Sequence, residues 1–165
     1  MHSTSVPTIR AAVPGDHARV ATLLTANALP LDGLPASLDG FVVAEDGDAL
    51  VGVAGLEPCG DDALLRSVAV DVSRRGHGLG HALVTRVLAE AAHRRIDTLY
   101  LLTTTAERWF PSFGFTTITR ADVPDALRAT AEFRGACPAS ATVMMRRARR
   151  DGAAAHDAAA RRVGE

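Results

Sequence analysis

A glycine-rich turn that runs directly into a helix constrains this chain more than any other feature. The segment RRGHGLGHALVTRVLAEAAHRR, residues 74–95, holds three glycines within five residues, followed by apolar residues at helical spacing. The β-rich run ALLRSVAVDV, Ala63–Val72, comes just before it. Glycines let backbone amides approach an anion closely, and a helix N-terminus adds unpaired N–H groups with a partial positive charge. These residues therefore predict a strand, a phosphate-binding turn and a helix, in that order.

The residues around the glycines exclude two common nucleotide-binding motifs. No Gly-Lys-Ser/Thr follows, so the turn is not a P-loop. The order GHGLGH differs from the Gly-x-Gly-x-x-Gly of dinucleotide folds, and the repeated strand–helix units of such folds do not precede it. A plain glycine-rich loop that enters a helix and binds nothing stays open at this point.

The remaining segments predict one mixed sheet with helices on it. A short strand at Pro7–Pro14 is followed by a helix that Asp16 caps, with apolar residues at helical spacing. The runs FVVAED and ALVGVAGLEP around a short polar turn predict a hairpin. The near-continuous apolar run at Thr98–Thr105 predicts a strand buried on both faces. A short helix ending at Gly114 and the late strands FTTIT and ATVMMRR complete an α/β (α+β) fold of about six to seven strands.

Composition limits the classes of function. The chain has 165 residues, a 47% apolar share and a formal net charge of −1. This fits one domain, predicted over residues 7–147, and gives no electrostatic argument for nucleic acid as a partner. Residues 1–6 are predicted to be a flexible start, and the low-complexity residues 148–165 a disordered tail. All basic residues other than histidine are arginine, which excludes a lysine nucleophile.

The two cysteines predict neither a metal site nor a disulfide. Cys59 and Cys137 are far apart, and their spacing fits no zinc motif. A reducing cytoplasm is the expected location. The N-terminal residues lack the apolar core of a signal peptide, and no run approaches the roughly 18 apolar residues of a membrane span.

Two motifs carry a resemblance to a known family. The segment SVAVDVSRRGHGLGHALV resembles the acetyl-CoA signature of the GNAT N-acetyltransferase superfamily, Arg/Gln-x-x-Gly-x-Gly/Ala, with Arg75, Gly78 and Gly80 in its fixed positions. The segment RWFPSFGF resembles the later aromatic-rich helix of that family, which ends in Gly-Phe. The resemblance covers about residues 7–147 and agrees with the predicted order of strands and helices.

The resemblance implies a GNAT acyl-CoA acyltransferase fold with acetyl-CoA as cofactor. The cofactor would lie in a splay between two parallel strands, here Val68–Val70 and Leu101–Thr104. Backbone groups of the first strand would pair with the pantetheine arm, one N–H would polarise the thioester carbonyl, and amides of the glycine turn would hold the pyrophosphate. The cofactor-binding residues implied are Val68, Ala69, Val70, Arg75, Gly76, His77, Gly78, Leu79, Gly80, Thr104 and Phe110.

The acceptor amine is protonated at neutral pH, so a base must take its proton before attack. Glu57, at the end of VAGLE, is the predicted catalytic base, directly or through a water. Many members of the superfamily carry a tyrosine that protonates the leaving thiolate. Phe110 occupies that position here, and the chain's only tyrosine, Tyr100, lies in a predicted strand. No residue of this chain is therefore predicted to act as the family's general acid.

A closer resemblance bears on the substrate. Three segments resemble the arsenic-resistance-associated branch of GNAT enzymes, which is similar to the acetyltransferase domain of N-acetylglutamate synthase: FVVAEDGDALVGVAGLEPCGDDALLRSVAV, LYLLTTTAERWFPSFGF and LRATAEFRGACPASATVMMRR. This implies a glutamate-like acceptor amine or an arsenical analogue of one. The carboxylate of such an acceptor needs cationic anchors, and Arg66, Arg128 and Arg134 are the predicted substrate-binding residues.

Other functions stay open from the residues alone. A GNAT fold without turnover would be an acetyl-CoA-binding sensor, and the missing tyrosine favours it. A glutamate N-acetyltransferase of arginine synthesis would use the same late region. A thiol-based binder of arsenicals would use the two cysteines, although small buried cysteines are common in cores. The family also includes homodimers.

Overall fold

The computed structural model describes residues 5–148. The strands are β1 (Thr8–Ala11), β2 (Phe41–Asp46), β3 (Ala49–Cys59), β4 (Asp62–Val70), β5 (Thr98–Thr103), β6 (Thr116–Ile118) and β7 (Thr142–Arg147). The α-helices are α1 (His17–Ala26), α2 (Leu79–His93) and α3 (Asp125–Arg128). The predicted flexible start and disordered tail lie outside the described residues, apart from residues 5, 6 and 148. No helix within residues 5–148 is long and apolar enough to cross a membrane.

The strands of residues 5–148 form one seven-stranded sheet in the order β1-β2-β3-β4-β5-β7-β6. Neighbours run antiparallel except β4 and β5, which are parallel. The parallel pair needs a crossover, and α2 supplies it between the two strands. The predicted mixed sheet with flanking helices is therefore confirmed.

The two long helices cover opposite faces of the sheet. Alternate residues of β2 belong to different apolar clusters, because successive side chains of a strand point to opposite faces. On one face, Leu83 and Val87 of α2 pack with Val42; on the other, Val20 and Leu24 of α1 pack with Phe41. The predicted helical spacing and the strand buried on both faces are both confirmed, since Leu99 and Tyr100 of β5 also belong to different clusters.

Asp16 precedes α1 as predicted, but the predicted side-chain cap is wrong. Its carboxylate makes no capping hydrogen bond to α1. It accepts instead from the Val13 N–H at 2.9 Å and from Arg10 at 2.7 and 2.9 Å, and Arg19 donates at 2.8 Å. The paired arginines therefore outcompete the helix amides for this carboxylate, which is 2% exposed.

Candidate active site

A gap opens between β4 and β5. In the described residues, the two strands pair at Ala63–Leu99 and Leu64–Tyr100. The stretches that follow, Leu65–Val68 and Leu101–Thr103, line opposite sides of a cavity of about 300 Å³. The strands thus diverge towards their C-terminal ends, where parallel sheets commonly bind ligands.

An irregularity in β4 shapes the wall of this cavity. The register between β3 and β4 shifts after Val53, which faces Ala69, and before Gly55, which faces Arg66. Ser67 lies in this bulge with φ of 57°, a left-handed conformation that is uncommon for a residue with a side chain. Bulges of this kind redirect a strand next to active sites. Here the bulge lies where Ser67 and Val68 line the cavity.

A second depression of about 530 Å³ adjoins the first at the start of α2. Leu29, Val68 and Trp109 line both of them. Gly76 and Gly78 have φ of 83° and 81°, a left-handed backbone that glycine adopts without steric cost. The turn therefore leads into α2 with the helix N-terminus at the depression, an arrangement suited to a phosphate.

Most of the predicted cofactor-binding residues line one of the two depressions. The second is lined by Val68, Ala69, Val70, Arg75, Gly76, Gly78, Leu79 and Gly80. Thr104 and Phe110 line the first, and His77 is exposed on the turn between the two glycines. The Arg75 side chain donates to the Val70 carbonyl at 3.2 Å and contacts Asn27 at the end of α1, so it ties α1 to the end of β4.

Aromatic rings form the wall where the two depressions meet. Trp109 is 36% exposed, and its ring centroid lies 4.9 Å from that of Phe110 in an edge-to-face contact. Phe110 is buried and begins the short 3₁₀ helix Phe110–Phe113, which ends at Gly114 with φ of 88°. The predicted short helix before Gly114 is present, and its phenylalanine supplies no hydroxyl to the cavity.

Arg66 lies at the centre of a buried charged cluster. Its side chain is 0% exposed. Nη1 donates to Glu57 Oε1 at 2.6 Å and to the Gly33 carbonyl at 3.3 Å, and Nη2 donates to the Asp32 carbonyl at 2.9 Å. Nε donates to Ser67 Oγ at 3.2 Å and lies 3.8 Å from Glu132 Oε1. Every guanidinium nitrogen is thus engaged by the protein, as a buried cation requires.

The two carboxylates of this cluster differ in position. The Glu57 side chain is 22% exposed and bonds one edge of the guanidinium. Glu132 is 4% exposed and lies in the turn Glu132–Ala136. Among the described residues that line the first cavity, the charged ones are Arg66 and Glu132. Burial raises the pKa of the Glu132 carboxyl above its ordinary value, while Arg66 acts in the opposite direction.

Sequence reasoning missed Glu132 because it lies in the late connection, whose fold was not predictable. The available signal was a lone acid between Ala131 and Phe133 in an otherwise small and basic segment. Cys137, from the same segment, lines the cavity and contacts Glu132 Oε2 at 3.7 Å. Burial, followed by the nearby Glu132 charge, raises the pKa of the Cys137 thiol to about 11. The protonated thiol is thus favoured at neutral pH.

The other two predicted anchors lie elsewhere in this structure. Arg128 is exposed, donates to the Ala121 carbonyl at 2.8 Å, and lines a separate surface depression with Arg120 and Phe133. Arg134 is exposed. Of the predicted substrate-binding residues, Arg66 is the one that the fold brings to the cavity between β4 and β5. The roles of Arg128 and Arg134 stay predictions.

Comparisons with known proteins agree with this architecture. The solved N-acetylglutamate synthase of Neisseria gonorrhoeae, in complex with coenzyme A and N-acetyl-glutamate, has a similar fold with a TM-score of 0.74 at 24% identity; the similarity covers 90% of this chain and 36% of that one. A Mycobacterium tuberculosis protein solved in complex with CoA has a TM-score of 0.71 at 27% identity, covering 86% of this chain and 99% of that one.

Sequence comparisons point the same way. An amino-acid acetyltransferase of Mycobacterium tuberculosis is 39% identical over 82 residues. This region is 47% of this chain and 47% of that protein, so the chain matches about half the length of this curated relative. Residues 37–117, which run from before β2 into β6, match the family model described as an acetyltransferase (GNAT) domain. Residues 37–117 are therefore similar to a GNAT acetyltransferase domain.

Proposed function

We propose that this protein is an acetyl-CoA-dependent N-acetyltransferase that acts on the primary amine of a small molecule. The observation that carries the proposal is the gap between β4 and β5, which continues into the depression at the start of α2. The family match over residues 37–117 supports it. So do the two similar structures, both solved with coenzyme A.

The residues present fit an acyl-CoA ligand. An extended arm with amide groups matches the gap beside Val68–Val70, where it would add to β4 as a further strand. The amides of residues 76–80 and the N-terminus of α2 match a pyrophosphate. A backbone N–H of this part of β4, beside the bulge at Ser67, would polarise the thioester carbonyl.

The chemistry requires two deprotonations at nitrogen, one of the ammonium group before attack and one as the amide forms. Acetyl-CoA supplies an acetyl group activated as a thioester. The neutral amine forms an N–C bond to the acetyl carbonyl as the C–S bond breaks, and the proton released from nitrogen ends on the thiolate. Glu57 is the predicted base that first deprotonates the ammonium group, and Glu132, which lines the cavity, is a second candidate.

We further propose that the acceptor is an amino acid of the glutamate type, or an arsenical analogue of it. The amino-acid acetyltransferase relative and the synthase fold support the amino acid, and the resemblance to the arsenic-associated branch supports the analogue. Arg66 was predicted to anchor the acceptor carboxylate. Because its donors already bind protein groups, such an acceptor would have to replace one of those contacts. A homodimer stays a prediction.

Turnover tests the function directly. We expect release of free coenzyme A thiol from acetyl-CoA to depend on the acceptor, measured by a thiol reagent with glutamate, phosphinothricin, the arsenical glutamate analogue and spermidine. Release with the glutamate-like amines alone supports the amino acid class, and release with spermidine alone contradicts it. If the protein binds acetyl-CoA but no acceptor gives release, the sensor alternative replaces the transferase.

Trp109 offers a direct measurement of cofactor binding. It is the only tryptophan in the chain, and it lines both depressions while 36% exposed. A ligand that fills them removes water from its indole ring. We therefore expect coenzyme A to change the intrinsic tryptophan fluorescence saturably. A titration with no change, while calorimetry detects binding, would place coenzyme A elsewhere on the protein.

A further inference from the structure

We propose that Glu132, rather than Glu57, is the catalytic residue that takes the proton from the acceptor's ammonium group, and that Arg66 is the positioning residue that holds it. This inference rests on the proposed acetyltransferase function and assigns a role to a residue that the motifs of the chain did not reveal.

Access to the cavity distinguishes Glu132 from Glu57. Glu132 lines the cavity into which β4 and β5 open, together with Ser67 and Val68 at the bulge. Glu57 accepts a hydrogen bond from Arg66 Nη1, and Arg66 is the member of this pair that lines the cavity. A base must reach the proton it removes directly or through one water. Glu132 satisfies this condition from the cavity wall, whereas Glu57 does not line the cavity and bonds Arg66 instead.

The net charge of the cluster favours a cationic group beside it. Arg66 carries one positive charge, and Glu57 and Glu132, when both are ionised, carry two negative charges. The cluster then holds one uncompensated negative charge inside a largely buried site. An acceptor ammonium group complements that charge, whereas a further anion would be repelled by it. The cluster therefore favours binding the acceptor by its amine end.

The surroundings of the Glu132 carboxylate make it a stronger base. Three ionisable groups face Glu132: Arg66 from β4, Glu57 from β3 and Cys137 from the loop that follows the turn. Burial raises the pKa of Glu132, and Arg66 and the Cys137 contact partly offset this. A carboxylate with a raised pKa is a stronger base near neutral pH than an exposed one. The oxygen nearest Arg66 is Oε1, at 3.8 Å from Nε, which is longer than a hydrogen bond.

The proton balance follows from these contacts. A Glu132 oxygen takes one proton from the ammonium nitrogen and becomes a neutral carboxyl. The amine forms its bond to the acetyl carbon, the C–S bond breaks, and the second proton from nitrogen passes to the thiolate. Glu132 then returns its proton to water. Arg66 stays charged throughout and keeps the side chain of Glu132 beside the cavity.

The experiment compares kcat/KM across pH for the wild type, Glu132→Gln and Glu57→Gln. Because kcat/KM rises as the base loses its proton, the wild type should show an acidic limb. We expect Glu132→Gln to lose about 100-fold or more in kcat/KM, together with that limb, at unchanged coenzyme A affinity by Trp109 fluorescence. Glu57→Gln should keep the limb. Glu107→Gln removes an exposed carboxylate outside the cavity and is the matched control.

Each outcome decides between the two residues or against both. If Glu132→Gln keeps the acidic limb of the wild-type kcat/KM profile, or if only Glu57→Gln loses it, the assignment of Glu132 is wrong. The proposed transferase function is unaffected by either result. An inactive wild type overturns the proposed function and the assignment with it. If Glu132→Gln does not fold, Glu132→Asp retains a carboxylate at a different reach; it should keep the acidic limb with reduced kcat/KM, and wild-type kcat/KM in that variant contradicts the inference.

Discussion

Replacing Arg66 with methionine is expected to lower the free energy of unfolding by about 3–5 kcal/mol, the range for removing one partner of a buried ion pair. Methionine approximates the volume of the arginine stem but donates no hydrogen bond. The substitution leaves Glu132 and Glu57 without their cation, and the Asp32 and Gly33 carbonyls without a donor. Chemical denaturation at pH 7 measures the loss. Arg134→Met, at an exposed arginine, is the control and should change stability by about 0.5 kcal/mol or less.

The pH dependence of this variant separates a charge effect from a packing effect. Burial already raises the pKa of Glu132, and removal of Arg66 takes away the main group that lowers it. The folded variant therefore favours the neutral carboxyl, and its stability should fall as the pH rises through the raised folded pKa. Relative to wild type, the deficit of Arg66→Met should shrink as the pH falls towards 5. An equal deficit at pH 5 and pH 7 would mean that lost packing, rather than stranded charge, explains it.

The second large effect is expected at Asp16, which bonds Arg10 of the edge strand β1. Asp16→Asn should lower the free energy of unfolding by about 2 kcal/mol at pH 7, as expected for lost hydrogen bonds to a charged group. The carboxylate is 2% exposed and accepts from Arg10, Arg19 and the Val13 N–H. The amide of asparagine would place a donor against two guanidinium groups that are themselves donors. Asp125→Asn, at an exposed aspartate, is the control.

The sign of the pH effect at Asp16 is opposite to that at Glu132. The Arg10 guanidinium holds the pKa of the Asp16 carboxyl well below its usual range. Its contribution is therefore complete above the unfolded pKa of about 3.9 and is lost as the pH falls through the lower folded value. Thermal unfolding of wild type and Asp16→Asn should show curves that differ most above about pH 5 and converge in acid. A difference that persists unchanged to pH 2 would contradict the ionic explanation.

Local patterns were sufficient to predict the elements of the site that depend on nearby residues. The glycine turn before α2 and the short helix before Gly114 follow from conformational preferences that a few residues determine. The mixed sheet was predictable from the order of the strands and helices and from the hydrophobic runs. The apolar run of β5 indicated a strand buried on both faces, and the helix α2 before it allows a parallel crossover from β4. These are properties that a single strand or turn carries by itself.

Contacts between distant segments could not be predicted in the same way. Arg66 was recognised as a buried charge, but its carbonyl partners are 33 and 34 positions earlier in the chain. Glu132 belongs to the late connection, which meets β4 and β5 at the cavity. The predicted cap at Asp16 was wrong because Arg10, from the neighbouring strand β1, competes for the carboxylate. In each case the deciding partner is set by tertiary structure, and no local pattern records it.

The short parallel pairing between β4 and β5 also has a mechanical consequence. The sheet has two parts, one formed by strands β1-β2-β3-β4 and the other by strands β5-β7-β6. Within the described residues, the backbone pairing between the two parts covers only Ala63–Leu99 and Leu64–Tyr100. A bound arm with amide groups would bridge the two parts of the sheet, so the fraction of protein with ligand bound would determine how strongly the parts are held together. Stability gained in this way grows as the logarithm of ligand concentration over its Kd. Each release of coenzyme A would then return the protein to its least stable form. The free energy of unfolding would therefore rise and fall with the concentration of cofactor.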